Sequence, residues 1–173
     1  MKFERRTEKR YYDDFFLCET HARVVKIGPD FIETDATVAY PEGGGQEADV
    51  GTIEFPDGQR LRFIWAKKMY AHSSRMREFP EVKLDGVIWH MIHPDDMHRL
   101  ATAPAGAPVI IRIDRERRAR LSLSHTASHL LYLAVDQYRA DAAGSTIGCH
   151  IKPDGARFDF SERWLSKTRL TYK

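Results

Sequence analysis

His125 and His129 stand four residues apart in "SHTASHLL". On a helix this spacing puts both imidazoles on one face, a turn apart. Two ring nitrogens so placed can ligate one zinc ion. A zinc site needs at least a third protein ligand. No glutamate follows His125, so this is not the metalloprotease helix. The alternative is a pair of boundary residues on an amphipathic helix. Other donors are sparse. Cys149 and His150 are adjacent, so on a strand they face opposite ways and at most one could join the pair. His90 and His93 also face oppositely in a strand-like run, and their reading is structural. A second stretch with chemical potential is "AYPEGGGQEADVG". Gly43, Gly44 and Gly45 are expected where backbone bends sharply or approaches another surface closely. Gln46 then offers an amide donor and acceptor.

The elements that would position these groups differ between the two halves of the chain. Up to about residue 111 the texture is strand-like. "ARVVKIG", "FIETDATVAY", "GTIEF", "RLRFIWAKKMY", "GVIWHMI" and "PVIIRID" alternate, are rich in β-branched residues, and are separated by turns such as "PDG". About six short strands at this spacing predict a small β-barrel. "HPDDMHRLATAPAGA" leaves room for one short helical turn. After Asp114 the apolar residues Leu123, Ala127, Leu130, Leu131, Ala134 and Val135 recur near helical spacing, with no Pro or Gly until Gly144. The helix is expected to start near Ser122 or Ser124, either of which could cap it. "GSTIGCHIKPDGARFDF" reads as a hairpin, and Ser161 as the N-cap of a final helix. The expected class is α+β: a barrel domain over residues 1–111 that carries the glycine loop, then a helix-and-hairpin domain over residues 112–173.

Charge is unevenly spread. From Arg112 onward 12 Lys and Arg face 7 Asp and Glu, whereas the whole chain nets only +2. A basic second half points to a polyanionic partner. Cys18 and Cys149 are the two cysteines, far apart, so no disulfide framework is implied and a reducing, cytoplasmic setting is expected. The charged start "MKFERRTEKR" has no apolar run behind it, and no stretch approaches the length of a membrane span.

Four segments, in order, resemble the editing domain of alanyl-tRNA synthetase and its free-standing homologues, the AlaX proteins. "TEKRYYDDFFLCETHARVVKI" is similar to that family's opening hairpin and "ETDATVAYPEGGGQEADVG" to its glycine-rich motif. "IRIDRERRARLSLSHTASHLL" resembles the lead into its H-x-x-x-H helix, and "IGCHIKPDGARFDFS" the hairpin that follows. The resemblance implies hydrolysis of alanine-specific tRNA mischarged with serine or glycine. It also implies zinc bound by two histidines and by a later C-x-x-x-H. The first pair falls on His125 and His129; the second pair has no counterpart, so the second domain looks C-terminally truncated.

The family's threonine that contacts the serine hydroxyl falls on Thr146, where β-propensity alone would also suit a threonine. The glycine loop is expected to reach from the barrel toward the pocket, its bare backbone approaching the ribose, ester or helix and Gln46 offering an amide donor and acceptor, or simply to form a tight barrel turn. Arg115, Arg117, Arg118 and Arg120 could neutralise tRNA phosphates or simply form a solvated helix entrance. Asp159 could orient a ligand histidine, although a role in the hairpin itself is the simpler reading. A trans-acting deacylase is the leading expectation. A non-catalytic tRNA-binding module or inactive remnant stays open. So does a fragment of a full synthetase, against which strand texture from residue 11 argues. An incomplete domain would leave apolar surface uncovered, so a homo-oligomer also stays open.

Overall fold

Alternating burial along the chain builds a barrel from the first strands. A computed structural model describes residues 6–70, 86–161 and 170–172. In chain order the elements are β1 (Glu8–Lys9), β2 (Glu19–Ile27), β3 (Phe31–Thr34), β4 (Ala36–Thr37), β5 (Gly51–Glu54), β6 (Arg60–Tyr70), β7 (Gly86–Ile92), α1 (Met97–Leu100) and β8 (Pro108–Ile113). They continue with α2 (Arg115–Tyr138), α3 (Ala140–Ala143), β9 (Thr146–Lys152), β10 (Gly155–Phe160) and β11 (Leu170–Tyr172). The fold is α+β in character, with a six-stranded closed barrel in the order β2-β3-β7-β6-β5-β8 and few helices.

The chain divides into two compact units, Met1–Glu42 with Ala48–Asp114, and Gly43–Glu47 with Arg115–Lys173. The glycine loop, expected with the barrel, is therefore part of the second unit.

In the first unit every second residue of β7 turns inward, and β8 does the same from Val109. Ile32, Val38, Ile53, Leu61, Phe63, Ala66, Ile88 and Ile111 are all 1% exposed or less and fill the interior. Burial of one such side chain is worth about 1.5–3 kcal/mol. Arg112 of the closing strand donates to Glu19 on β2 (2.6 Å) and to Glu54 on β5, tying it to both neighbours. The short helical turn expected after β7 is present, as a 3-10 turn at Pro94–Asp96 and then α1. Its Asp96 carboxylate accepts from the backbone N–H of Arg62 (2.9 Å) and from the same residue's guanidinium (2.9 and 3.0 Å). The Arg62 hydrogen bonds hold the Asp96 carboxyl down at about 2.

Two boundaries differ from the sequence reading. "FIETDATVAY" is not one strand. It breaks at Asp35, whose side chain accepts from the backbone N–H of Arg23 (2.7 Å), and β4 pairs in parallel with β1 instead. Helix α2 starts at Arg115, well before Ser122, because "RERRAR" is built of good helix formers. The final helix expected after Ser161 falls on residues outside those described. No helix among the described residues is long and apolar enough to cross a membrane.

His90 is fully buried inside the barrel. Its Nδ1–H donates to the Ile32 carbonyl (3.1 Å), which can only accept, so Nε2 accepts from the Thr37 hydroxyl (2.8 Å). Burial pushes its pKa down to about 4. The folded state therefore favours the neutral ring. The associated stability is fully present above the unfolded value near 6.5 and is lost as pH falls toward 4. Urea unfolding at pH 7 and pH 4.5 should show an acid-dependent loss of about 2 kcal/mol. His90→Gln should remove most of that pH dependence. An unchanged pH slope in the variant would contradict this assignment.

Candidate functional site

The second unit is held together by a strand addition. Gly43 and Gln46 exchange backbone hydrogen bonds (3.1 and 3.0 Å), closing a tight turn. The chain then runs parallel to β9: Ile151 N–H donates to Gly45 O (2.8 Å), and Glu47 N–H donates to Ile151 O (3.0 Å). On its other side β9 pairs antiparallel with β10, and β10 with β11. The bare backbone of Gly45 makes this possible. Its φ is +81°, and a Cβ there would lie 2.2 Å from Cys149 Sγ and 2.9 Å from the Cys149 carbonyl. Of the three glycines, Gly45 makes a close approach, to β9, whereas a Cβ at Gly44 would meet nothing within 4 Å.

This pairing carries Gln46 to the helix. Gln46 is 6% exposed, and its Oε1 lies 2.6 Å from His125 Nδ1. With an amide carbonyl facing it, Nδ1 carries the proton, so the Nε2 lone pair is left for a metal or a proton. The His125 and His129 rings stack with centroids 5.0 Å apart and planes 11° from parallel, as their spacing predicts. Partial burial first, and the neighbouring His129 second, lower the pKa of His125 and favour its neutral form.

Glu47 escaped the sequence reading. Its carboxylate accepts from Arg117 on α2 (2.8 Å) and pairs with His150 Nε2 on β9 (3.3 Å), so it ties helix and sheet to the loop that carries Gln46. Nothing local in the sequence signals a contact between residues 70 apart.

The other expected residues are placed as follows. Thr146 opens β9 opposite Phe160, at the far end from Ile151. Arg118 is buried at 6% exposure, whereas Arg115 and Arg120 are exposed and Arg120 pairs with Glu116 (2.6 Å). Cys149 Sγ sits 3.7 Å from the Gly44 carbonyl. Asp159 pairs with Arg157 (3.1 Å) within β10. Helix α2 buries Arg118, Leu121, Ser124 and Ser128, and leaves Leu123, Leu130 and Leu133 more than 60% exposed.

Zinc can be tested against this donor set. The His125 tautomer is the one seen in metal ligands, whose second ring N–H is held by an oxygen. Among the described residues, however, no group of three or more His, Cys, Asp or Glu could hold a metal ion. The pair supplies half of a tetrahedral set, and the described residues do not complete it.

Comparisons with known proteins bear on the family. No family model matches the chain. It is 34% identical over 157 residues to an alanine–tRNA ligase of Methanopyrus kandleri, which covers 88% of this chain and 15% of the ligase. It is 31% identical over 155 residues to the alanyl-tRNA editing protein AlaX-M of Saccharolobus solfataricus, covering 90% of this chain and 56% of that protein. With AlaX-M of Pyrococcus horikoshii the identity is 26% over 155 residues, covering 90% and 61%. The chain thus spans less than two thirds of the length of each of these relatives.

If the close approach of Gly45 to β9 positions Gln46, the glycines should not be equivalent. Gly44 has φ +60°, but a Cβ added there would meet nothing within 4 Å, so Gly44→Ala should cost about 1–2 kcal/mol of backbone strain. Gly45→Ala adds the collision with Cys149, should cost clearly more, and should detach Gln46 from His125. Urea unfolding together with the imidazole proton shifts of His125 checks both. Equal costs would remove the special role of Gly45.

Proposed function

Because the chain belongs to the alanyl-tRNA editing family shared by AlaX-M proteins and a region of alanine–tRNA ligases, we propose that it hydrolyses the ester of a wrongly charged alanine tRNA, carrying serine or glycine, in the cytoplasm. The observation that supports this most is the 2.6 Å contact between Gln46 Oε1 and His125 Nδ1, which joins the glycine-rich motif to the histidine pair in one site.

In this reading Gln46 fixes the orientation and tautomer of His125, and partial burial favours the neutral form of that ring. A neutral Nε2 can bind a metal or accept a proton, whereas an imidazolium can do neither. Zinc is part of the proposal, with His125 and His129 as two ligands and others required beyond the described residues. When bound, it would polarise the ester carbonyl or lower the pKa of a water. Thr146 is assigned the serine hydroxyl. A site that hydrogen-bonds this hydroxyl is left unpaired by alanine, so correctly charged tRNA is spared. Arg115 and Arg120, exposed at the start of α2, are assigned to tRNA phosphates. Arg118 is assigned to shaping the helix base, consistent with its burial.

A second reading, a tRNA-binding module without catalysis, is favoured by the incomplete ligand set among the described residues. Release of serine from Ser-tRNA specific for alanine separates the two. An active chain should lose at least about a hundredfold in rate with His125→Ala, and about ten- to a hundredfold with Gln46→Ala. Thr146→Val should narrow the preference for serine over alanine. Tight tRNA binding with no release above the buffer rate would establish the binding module instead.

A further inference from the structure

The barrel carries an outward face that the histidine site does not use. Two cross-strand rows define it. One row runs Lys26, Glu33, Trp89, Lys67 across β2, β3, β7 and β6, and the next runs Phe31, Met91, Trp65. Between them lies the inward row Ile32, His90, Ala66, each fully buried, so both flanking rows lie on the other face of the sheet, where Phe31 (4%) and Glu33 (2%) are covered and Lys26, Trp65 and Lys67 are exposed.

The face is aromatic and basic. Phe31 and Trp89 stack with centroids 3.7 Å apart and planes 8° from parallel, and the Lys26 ammonium sits over both rings at 5.6 and 5.8 Å. Glu33, the one acid in these rows, is 2% exposed and accepts the Trp89 indole N–H (3.2 Å). Lys26 and Lys67 are exposed on either side of Trp89. A register shift between Phe63 and Trp65 places Ile64 and Trp65 both at the surface, 46% and 42% exposed. A bulge of this kind re-aims a side chain, and here it leaves a tryptophan open to solvent beside a lysine.

We propose that this face docks unpaired nucleotides of an RNA strand, with Trp65 as a stacking platform and Lys67 and Lys26 facing the phosphates. The exposed Glu42 flanks β6 through its backbone N–H to the Ala66 carbonyl (3.1 Å), and a ring exposed next to the two lysines is the combination that holds single strands without reading their sequence. Four strands give a width of roughly 14 Å, enough for a short run of bases. The inference rests on the reading that RNA is the partner, but it assigns residues other than the histidine pair.

The test is fluorescence anisotropy of the full chain with a labelled single-stranded RNA of about twelve nucleotides. Trp65→Ala should weaken binding by at least roughly fivefold, and Trp65→Phe should restore most of it. Lys67→Ala should reduce the slope of log affinity against log salt by about 0.7. An RNA duplex of the same sequence should be insensitive to Trp65. Several results overturn the proposal: no RNA binding by the wild-type chain, equal affinity for Trp65→Ala with the fold intact by thermal melting, or a change confined to self-association in sedimentation. Trp65-dependent RNA binding without deacylation would support this face while defeating the catalytic reading. Deacylation with Trp65-independent RNA affinity would do the reverse.

Discussion

The parallel pairing of Gly45 and Glu47 with Ile151 is the constraint on which the histidine site depends. Two backbone hydrogen bonds, of 2.8 and 3.0 Å, fix the register of a five-residue loop against β9. That register sends the Gln46 side chain to His125 and the Glu47 side chain to Arg117 and His150. A shift of one residue would exchange the two side chains across the strand and leave the imidazole without its carbonyl. Glycine is required at Gly45 because β9 lies where a side chain would begin.

Polar burial serves different ends in the two units. His90 in the barrel is enclosed and fully hydrogen-bonded, with a strongly lowered pKa; it is a structural imidazole whose neutrality the core demands. His125 is only partly buried, is held through one nitrogen, and stacks on a second imidazole. Both rings favour the neutral form, but only the second leaves a lone pair toward chemistry.

Much of this was legible in the sequence where the pattern is local. The alternation in "GVIWHMI" and "PVIIRID" marks barrel strands because one face of each must be buried, and the i, i+4 histidines share one face because helical geometry puts them a turn apart. The break at Asp35 was hidden, since β-branched residues continue on both sides and only a hydrogen bond to Arg23 interrupts the strand. The early start of α2 was hidden by its charge, although its residues are good helix formers. Least legible was the placement of the loop. Gly44 and Cys149 are 105 residues apart, and no local pattern states that residues 43–47 leave the barrel's unit to pair with β9. The apolar period of α2 marked the helix but not its buried face: Leu123 and Leu130 of that period are exposed, and the buried stripe is Arg118, Leu121, Ser124 and Ser128.

The most direct measurement is the tautomer of His125, read from the nitrogen-15 shifts and long-range proton couplings of its imidazole in the purified chain near pH 7.5. A carbonyl at 2.6 Å from Nδ1 requires a protonated Nδ1 and a bare Nε2, and Gln46→Ala should release the ring to a mixture of both forms. A ring that carries its proton on Nε2 in the wild-type chain, or one that does not respond to loss of Gln46, would contradict the positioning role of the glycine loop.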